Sequence, residues 1–356
     1  MPFLDFIPAE LYGRVSGNIL FENNKYNGTI NLNNAGYKKG KISDINSEII
    51  VSNNKFQKEN IPLKIDNQPC LVSIASTDGN FKKFFINISS KELLFNSEGS
   101  IKSELKFTPL KLPISISGKI DIEKFKYDNY KLTNIMLNYS FSESSALIKR
   151  ISVNFMDGEI HGKGVIDLSE KHPDFDFSIE FNKLKIQNFS QFNEQMNNRI
   201  FGVMDGDAII KFRIEDDNNI SKSFKGKINF NINKGKIVNT GMQKGLGIWL
   251  SELKYKLKDL EFDEMYGNLN IVDSNLYINS FKFNAPDIRI HIDGFFNKKL
   301  SGDLDIVLQF TQSFFRDLPN PAFFLQLREY KKGEWYIIPF KAIGKDISDS
   351  KNIRRL

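Results

Sequence analysis

Apolar and polar residues alternate with a period of two through most of this chain, and that alternation restricts the fold more than any other feature. Phe175, Phe177, Ile179 and Phe181 alternate with Asp174, Asp176, Ser178 and Glu180. Ile228, Phe230 and Ile232 alternate with Lys227, Asn229 and Asn231. Ile288, Ile290 and Ile292 alternate with Arg289, His291 and Asp293, and Leu304, Ile306, Leu308 and Phe310 with Asp303, Asp305, Val307 and Gln309. Successive side chains of a strand point to opposite sides of a sheet, so each stretch reads as a strand with one apolar and one mostly wet face. The stretches run to roughly 8 to 12 residues, longer than the usual strand. The links between them are mostly too short for crossover helices, which predicts antiparallel neighbours. Turn dipeptides are expected at Asn27-Gly28, Asp78-Gly79, Asp157-Gly158, Asp205-Gly206 and Asp293-Gly294.

Two stretches change to helical spacing. Phe189, Phe192, Met196 and Ile200 lie three or four residues apart beside the capping types Asn188 and Ser190, predicting a helix near 189–200. Leu246, Trp249, Leu250, Leu253 and Leu257 form one stripe, predicting a second near 242–257. A weaker third candidate, Phe314 to Leu327, is interrupted by Pro319 and Pro321. Glycine recurs at or inside strands, at Gly17, Gly118, Gly164, Gly226, Gly267 and Gly302, at irregular intervals that exclude a fixed-period solenoid.

The chain holds 32 Phe among 356 residues, against 11 Tyr and 2 Trp. Phe supplies aromatic surface without a polar atom that needs a partner when buried. Much of it falls on the apolar faces of the long strands. Such faces either meet in a closed sandwich core or line an open trough, and periodicity alone leaves both open.

Other classes are weakly supported. Lys and Arg total 49 against 43 Asp and Glu, a net charge of +6 with the signs interspersed, so no basic stripe for nucleic acid stands out. Lys351, Arg354 and Arg355 form a small basic cluster, read as a solvated tail or an anionic-surface contact. Cys70 is the one cysteine, which excludes an intrachain disulfide. His161, His172 and His291 have no metal-ligand spacing, and the glycines from Gly241 to Gly247 lack the Lys-Ser/Thr of a phosphate loop. The expectation is no enzyme and no cofactor. No uninterrupted apolar run approaches the roughly 18 residues of a membrane-spanning helix. An outer-membrane barrel would call for aromatic girdles, which two Trp do not supply. The opening Met1-Pro2-Phe3-Leu4-Asp5-Phe6 has no basic leader, and a fragment of a longer chain is expected.

The order of segments from 118 to 310 resembles the C-terminal region of the AsmA-like proteins, relatives of bacterial bridge-like lipid-transfer proteins. It begins at Gly118-Lys119-Ile120-Asp121-Ile122 and continues through Phe155-Met156-Asp157-Gly158-Glu159-Ile160 and Phe201-Gly202-Val203-Met204-Asp205-Gly206. Ile228-Asn229-Phe230-Asn231-Ile232-Asn233-Lys234-Gly235-Lys236-Ile237 is followed by the stripe around Trp249, then by Tyr266-Gly267-Asn268-Leu269 and Ile292-Asp293-Gly294. Ile338-Pro339-Phe340-Lys341-Ala342-Ile343-Gly344 is similar to the family's terminal phrase. The resemblance implies a mainly β protein, a long antiparallel sheet curled like a taco around an apolar groove, with two or three short helices. Residues 1–117 would be an N-terminal β segment continuing the groove, 118–310 the AsmA-like region and 311–356 a C-terminal tail. It further implies phospholipid movement between the inner and outer membranes of a diderm bacterium, in the periplasm. Acyl chains would then contact Phe175, Phe177, Ile179, Phe181, Ile228, Phe230, Ile232, Ile288, Ile290, Ile292, Leu304, Ile306 and Leu308. An inner-membrane anchor or partner protein would complete the system, since the family's anchor has no counterpart in these residues. The rival expectation is a periplasmic scaffold for outer-membrane protein assembly that carries no lipid.

Overall fold

A computed structural model describes residues 11–37, 41–76, 78–95, 112–128, 130–191, 200–214, 223–238, 259–315, 325–347 and 350–356. Strands account for 79% of them and helical turns for 5%, and the twenty strands belong to one large antiparallel sheet that is not closed. The chain divides into two units, one of Met1–Phe155 with His161–Phe175, the other of Met156–Ile160 with Asp176–Leu356.

The first unit holds β1 (Leu11–Glu22), β2 (Lys25–Tyr37), β3 (Ile42–Ser52), β4 (Lys55–Ile65), β5 (Gln68–Ser76), β6 (Lys83–Phe95), β7 (Leu112–Tyr127), β8 (Tyr130–Glu143) and β9 (Ser145–Phe155). The next two strands, β10 (Gly158–Asp167) and β11 (Asp174–Lys185), are each divided between the units. The second unit continues with β12 (Ile200–Arg213), β13 (Lys225–Ile237), β14 (Leu260–Val272), β15 (Asn275–Asn284), β16 (Ile288–Asn297) and β17 (Gly302–Thr311). It ends with β18 (Lys331–Lys332), β19 (Trp335–Gly344) and β20 (Ile353–Arg355). The sequence boundary after 117 falls inside β7, and the one after 310 inside β17.

Strands follow one another as antiparallel neighbours from β1 to β6, from β7 to β9 and from β12 to β17, and β17 then pairs with β19. One step departs from the antiparallel expectation: β6 and β7 run parallel, from Lys83↔Ser115 to Phe95↔Tyr127. A parallel neighbour requires the chain to return to its starting end. The residues between Phe95 and Leu112, at about 3.4 Å each when extended, reach that far.

Asparagine and aspartate make the tight turns. Asn23-Asn24, Asn53-Asn54, Asp66-Asn67, Met156-Asp157 and Asp273-Ser274 all have φ between 46° and 66°, and each joins two consecutive strands. Two successive left-handed residues are the type I′ hairpin, whose twist matches that of the flanking strands. Asn and Asp accept this conformation at low cost. The turns expected at Asn27-Gly28, Asp205-Gly206 and Asp293-Gly294 are instead inside β2, β12 and β16. Asp157-Gly158 does mark the β9–β10 hairpin, and Asp78-Gly79 lies between β5 and β6.

Three of the strand-interior glycines make room for rings. A Cβ on Gly267 would lie 2.3 Å from a ring carbon of Phe230, one on Gly206 2.6 Å from Phe181, and one on Gly235 2.1 Å from Phe262. Phe230 stands directly opposite both Gly206 and Gly267, so its strand is flanked by glycine on either side. Gly267→Val forces the Phe230 ring aside and will cost about 1–3 kcal/mol, as overpacking does. Urea unfolding should show the loss, and Phe230→Leu in the same chain should recover part of it.

The helix predicted near 189–200 is described only at its ends. Ile186–Gln191 is a 3₁₀ turn, Ile200 already opens β12, and 192–199 lie outside the described residues. The helix predicted at 242–257 lies wholly outside them. Of the third candidate, Gln312–Phe315 is a 3₁₀ turn and 325–326 are helical. None of the described helical segments is long and apolar enough to cross a membrane, which says nothing about a β-barrel.

Candidate functional site: the apolar faces of the sheet

Because side chains directly opposite each other on neighbouring strands share a face, the strand registers turn the period-two pattern into rows across the sheet. In the second unit one row runs Met204, Ile232, Met265, Phe283, Ile290, Leu308, Ile338, from β12 to β19. The next is Gly206, Phe230, Gly267, Phe281, Ile292, Ile306, Phe340, and the third Ala208, Ile228, Leu269, Ile278, Gly294, Leu304, Ala342. Nine of the residues expected to line a groove therefore share one continuous face: Ile228, Phe230, Ile232, Ile288, Ile290, Ile292, Leu304, Ile306 and Leu308.

That face is not uniformly open. Phe283, Phe310 and Ile338 are fully buried, and Ile232, Ile288, Ile290 and Leu308 are buried with them in one cluster. Ile186, Leu327, Phe314 and Tyr330 pack over this cluster, so short turns and loop side chains close that end of the face. Phe230, Ile292 and Ile306 are only partly buried against it. Phe181 joins Leu184 and Ala208, with Ile228 and Phe230 alongside, while Leu304 is buried beside Ala342 and Ile347. Phe175, Phe177 and Ile179 are half-buried on β11 and belong to none of these clusters; Phe175 falls in the first unit.

The first unit carries a second apolar face, built from residues that were not among those expected to line a groove. One row runs Ile61, Val72, Ile88, Ile120, Leu137, Ile151 across β4 to β9. The next is Ile74, Ile86, Gly118, Tyr139, Ile148, and a third Phe84, Ile116, Phe141, Ala146. Apart from Ile61 and Gly118, every residue of these rows is half-buried. A buried cluster of Cys70, Leu93 and Ile122 borders the first row and includes Ile120 among its partly buried neighbours. Tyr139 stands opposite Gly118 and donates its hydroxyl to the Ile86 carbonyl at 3.1 Å, so the ring lies across the glycine with its polar atom satisfied. Burial pushes the Tyr139 hydroxyl and the Cys70 thiol up from their ordinary pKa values. Ile86-Ile88 and Ile116-Ile120 do alternate in the sequence, and that was the available signal.

The opposite face is polar and bonded to itself. Asn279 donates to Asn268 at 2.7 Å, Asn268 to Asn229 at 2.7 Å and Asn229 to Asp207 at 2.9 Å, an amide ladder over four strands. Lys341 meets Asp303 at 2.6 Å and Asp305 at 2.9 Å, and these carboxylates raise its pKa. Ser280, His291 and Asp293 also come together. The Asp293 carboxylate lies 3.2 Å and the Ser280 hydroxyl 3.4 Å from the same ring nitrogen, Nε2. Nucleophile activation needs them on opposite nitrogens of the ring, so this contact does not have the arrangement of a hydrolytic triad. A shallow cavity of about 540 Å³ lies in the first unit, lined by Pro62, Leu71, Lys91, Asp121 and Glu123 among others. Among the described residues no cluster of His, Cys, Asp and Glu could hold a metal ion. Arg355, in the basic C-terminal cluster, lies 5.3 Å over the Tyr330 ring.

Compared with known proteins, the chain matches no family model, no curated protein and no solved structure.

Proposed function

We propose that this chain binds phospholipid acyl chains along the apolar face of its sheet and passes them between the inner and outer membranes of a diderm bacterium. The observation that carries the reading is the half-buried apolar face of β4 to β9. Its rows run across the strands, and six strands at about 4.8 Å spacing span about 24 Å, on the scale of an extended acyl chain. Each methylene removed from water is worth about 0.8 kcal/mol, so an acyl chain of about 16 carbons gains roughly 12 kcal/mol before entropy costs. Ile, Leu, Val and Phe repeated at one spacing offer similar contact at successive positions, which favours sliding over trapping. In the second unit the face opposite the apolar rows, with its amide ladder and ion pairs, is polar and wetted. On this reading the sheet curls, taco-like, with the apolar rows inward, and works in the periplasm beside an inner-membrane anchor or partner. The resemblance to AsmA-like proteins points the same way.

The test is direct. The chain purified from bacterial cells under mild conditions should yield phospholipid on organic extraction and mass spectrometry, at a stoichiometry near one or more per chain. A folded preparation without phospholipid, which also fails to take up a fluorescent phospholipid from vesicles, sinks the proposal and favours a scaffold that carries no lipid.

A further inference from the structure

The wet face of the second unit carries an exposed pair of aromatic rings. Tyr277 on β15 stands directly opposite Phe295 on β16, and their rings stack at 5.7 Å with 29° between the planes. The ring pairs Phe262–Phe283 and Phe310–Tyr336 are buried, whereas Tyr277 and Phe295 are 40% and 41% exposed. Asn270 lies opposite Tyr277 on one side of the pair, and Asp303 opposite Phe295 on the other. Two residues further along the same strands come Asn279, at the end of the amide ladder, and Asp293, beside His291.

The polar groups around the rings are held in place. The interior amides of the ladder, Asn229 and Asn268, each donate one N–H and accept one, which leaves a second N–H and a second lone pair on each. Lys341 holds Asp303 and Asp305, and the His291 ring lies 3.2 Å from the Asp293 carboxylate. Ring faces bordered by amides and carboxylates in fixed positions lose little side-chain freedom when a ligand arrives.

We propose that this face is a glycan-binding platform, on which a pyranose ring lies over Tyr277 and Phe295 and offers its hydroxyls to Asn270, Asn279, Asp293 and Asp303. A β-linked pyranose presents a patch of C–H groups on its flat side, and the negative faces of aromatic rings attract them. Its rim carries hydroxyls, each of which donates and accepts. Carboxylates accept only, so they select hydroxyl donors, while the free halves of the amides serve both roles. Charge favours this occupant over a nucleic acid. Bases also stack on rings, but Asp293, Asp303 and Asp305 would then lie against phosphates. An acyl chain finds no continuous apolar row here, because Asn270, Asn279, Asp293 and Asp303 border the rings. The platform is independent of the proposed lipid path, since it uses the opposite face and other residues.

Isothermal titration of the full chain with chitohexaose and with cellohexaose tests this. At least one should bind, and Tyr277→Leu with Phe295→Leu should weaken that binding at least tenfold. Leucine keeps apolar surface and removes the ring faces, so the double variant separates stacking from plain burial. Tyr277→Phe should retain most of the binding. Asn279 is exposed, so Asn279→Ala leaves the rings and the fold in place and gives a second readout, a severalfold loss. Circular dichroism and the urea midpoint should match those of the unmodified chain, and phospholipid uptake should be unchanged. A chain that binds neither oligosaccharide overturns the proposal. So does glycan binding that survives the double leucine variant or Asn279→Ala undiminished, or a single-stranded oligonucleotide that binds these rings in place of the glycans.

Discussion

Phe283→Ala will destabilise the second unit by about 3–5 kcal/mol, the range for emptying a fully buried aromatic site. Phe283 has no exposed surface, its ring centre lies 5.2 Å from that of Phe262, and its neighbours in the row are Met265 and Ile290. The residues around it come from several strands and from the covering turns, so the gap cannot be filled by one rotamer change. A fall of that size should appear as a large drop in the chemical-denaturation midpoint of the second unit. A loss below about 1 kcal/mol would mean that this end of the face is as open as the first unit's, and not a core.

Ile88→Glu should do the reverse: little change in stability and a loss of acyl-chain binding of at least tenfold. Ile88 is half-buried in the row between Val72 and Ile120, so its glutamate can turn toward water in the empty protein. With an acyl chain laid over the row, the same carboxylate must be desolvated or displace the chain, at a cost of several kcal/mol. Photo-crosslinking to a diazirine-bearing phospholipid, compared with the unmodified chain, reads the difference. Binding that survives Ile88→Glu unchanged would remove this face from the proposed path. The same substitution at Phe230 is a poorer probe. Its ring packs against two buried clusters and covers Gly267, so charge there threatens the fold together with any ligand site.

The contrast between Ile88 and Phe283 shows where sequence reading stops. Both sit in alternating stretches, and nothing local separates them. Ile232, Ile290 and Leu308 were expected on one apolar face from their alternation and as groove lining from the family resemblance, and they lie on one face, yet they are buried in a cluster with Ile186 and Leu327, with Tyr330 packed against it. Those covering residues are remote in sequence, and their arrival is a tertiary event. The turns were misread for a different reason. Asn-Gly and Asp-Gly pairs inside β2, β12 and β16 carry the hairpin signature, but their glycines serve close approaches of a ring or a neighbouring backbone. The hairpins themselves are made by Asn-Asn, Asp-Asn, Met-Asp and Asp-Ser pairs.

The alternation by itself determined that the chain forms long strands with one apolar and one polar face, because side-chain direction along a strand is a property of the local backbone. It also determined most of the antiparallel order, through links too short to cross over. Tertiary structure alone decided which strands face which, and so which residues form rows. It decided that β6 and β7 run parallel, that one apolar face is closed at one end while another stays half-buried, and that β18 and β20 cover the edge of β19. Register, burial and edge protection all arise from contacts between residues far apart in the chain, and a pattern of period two carries no information about what arrives from a distance.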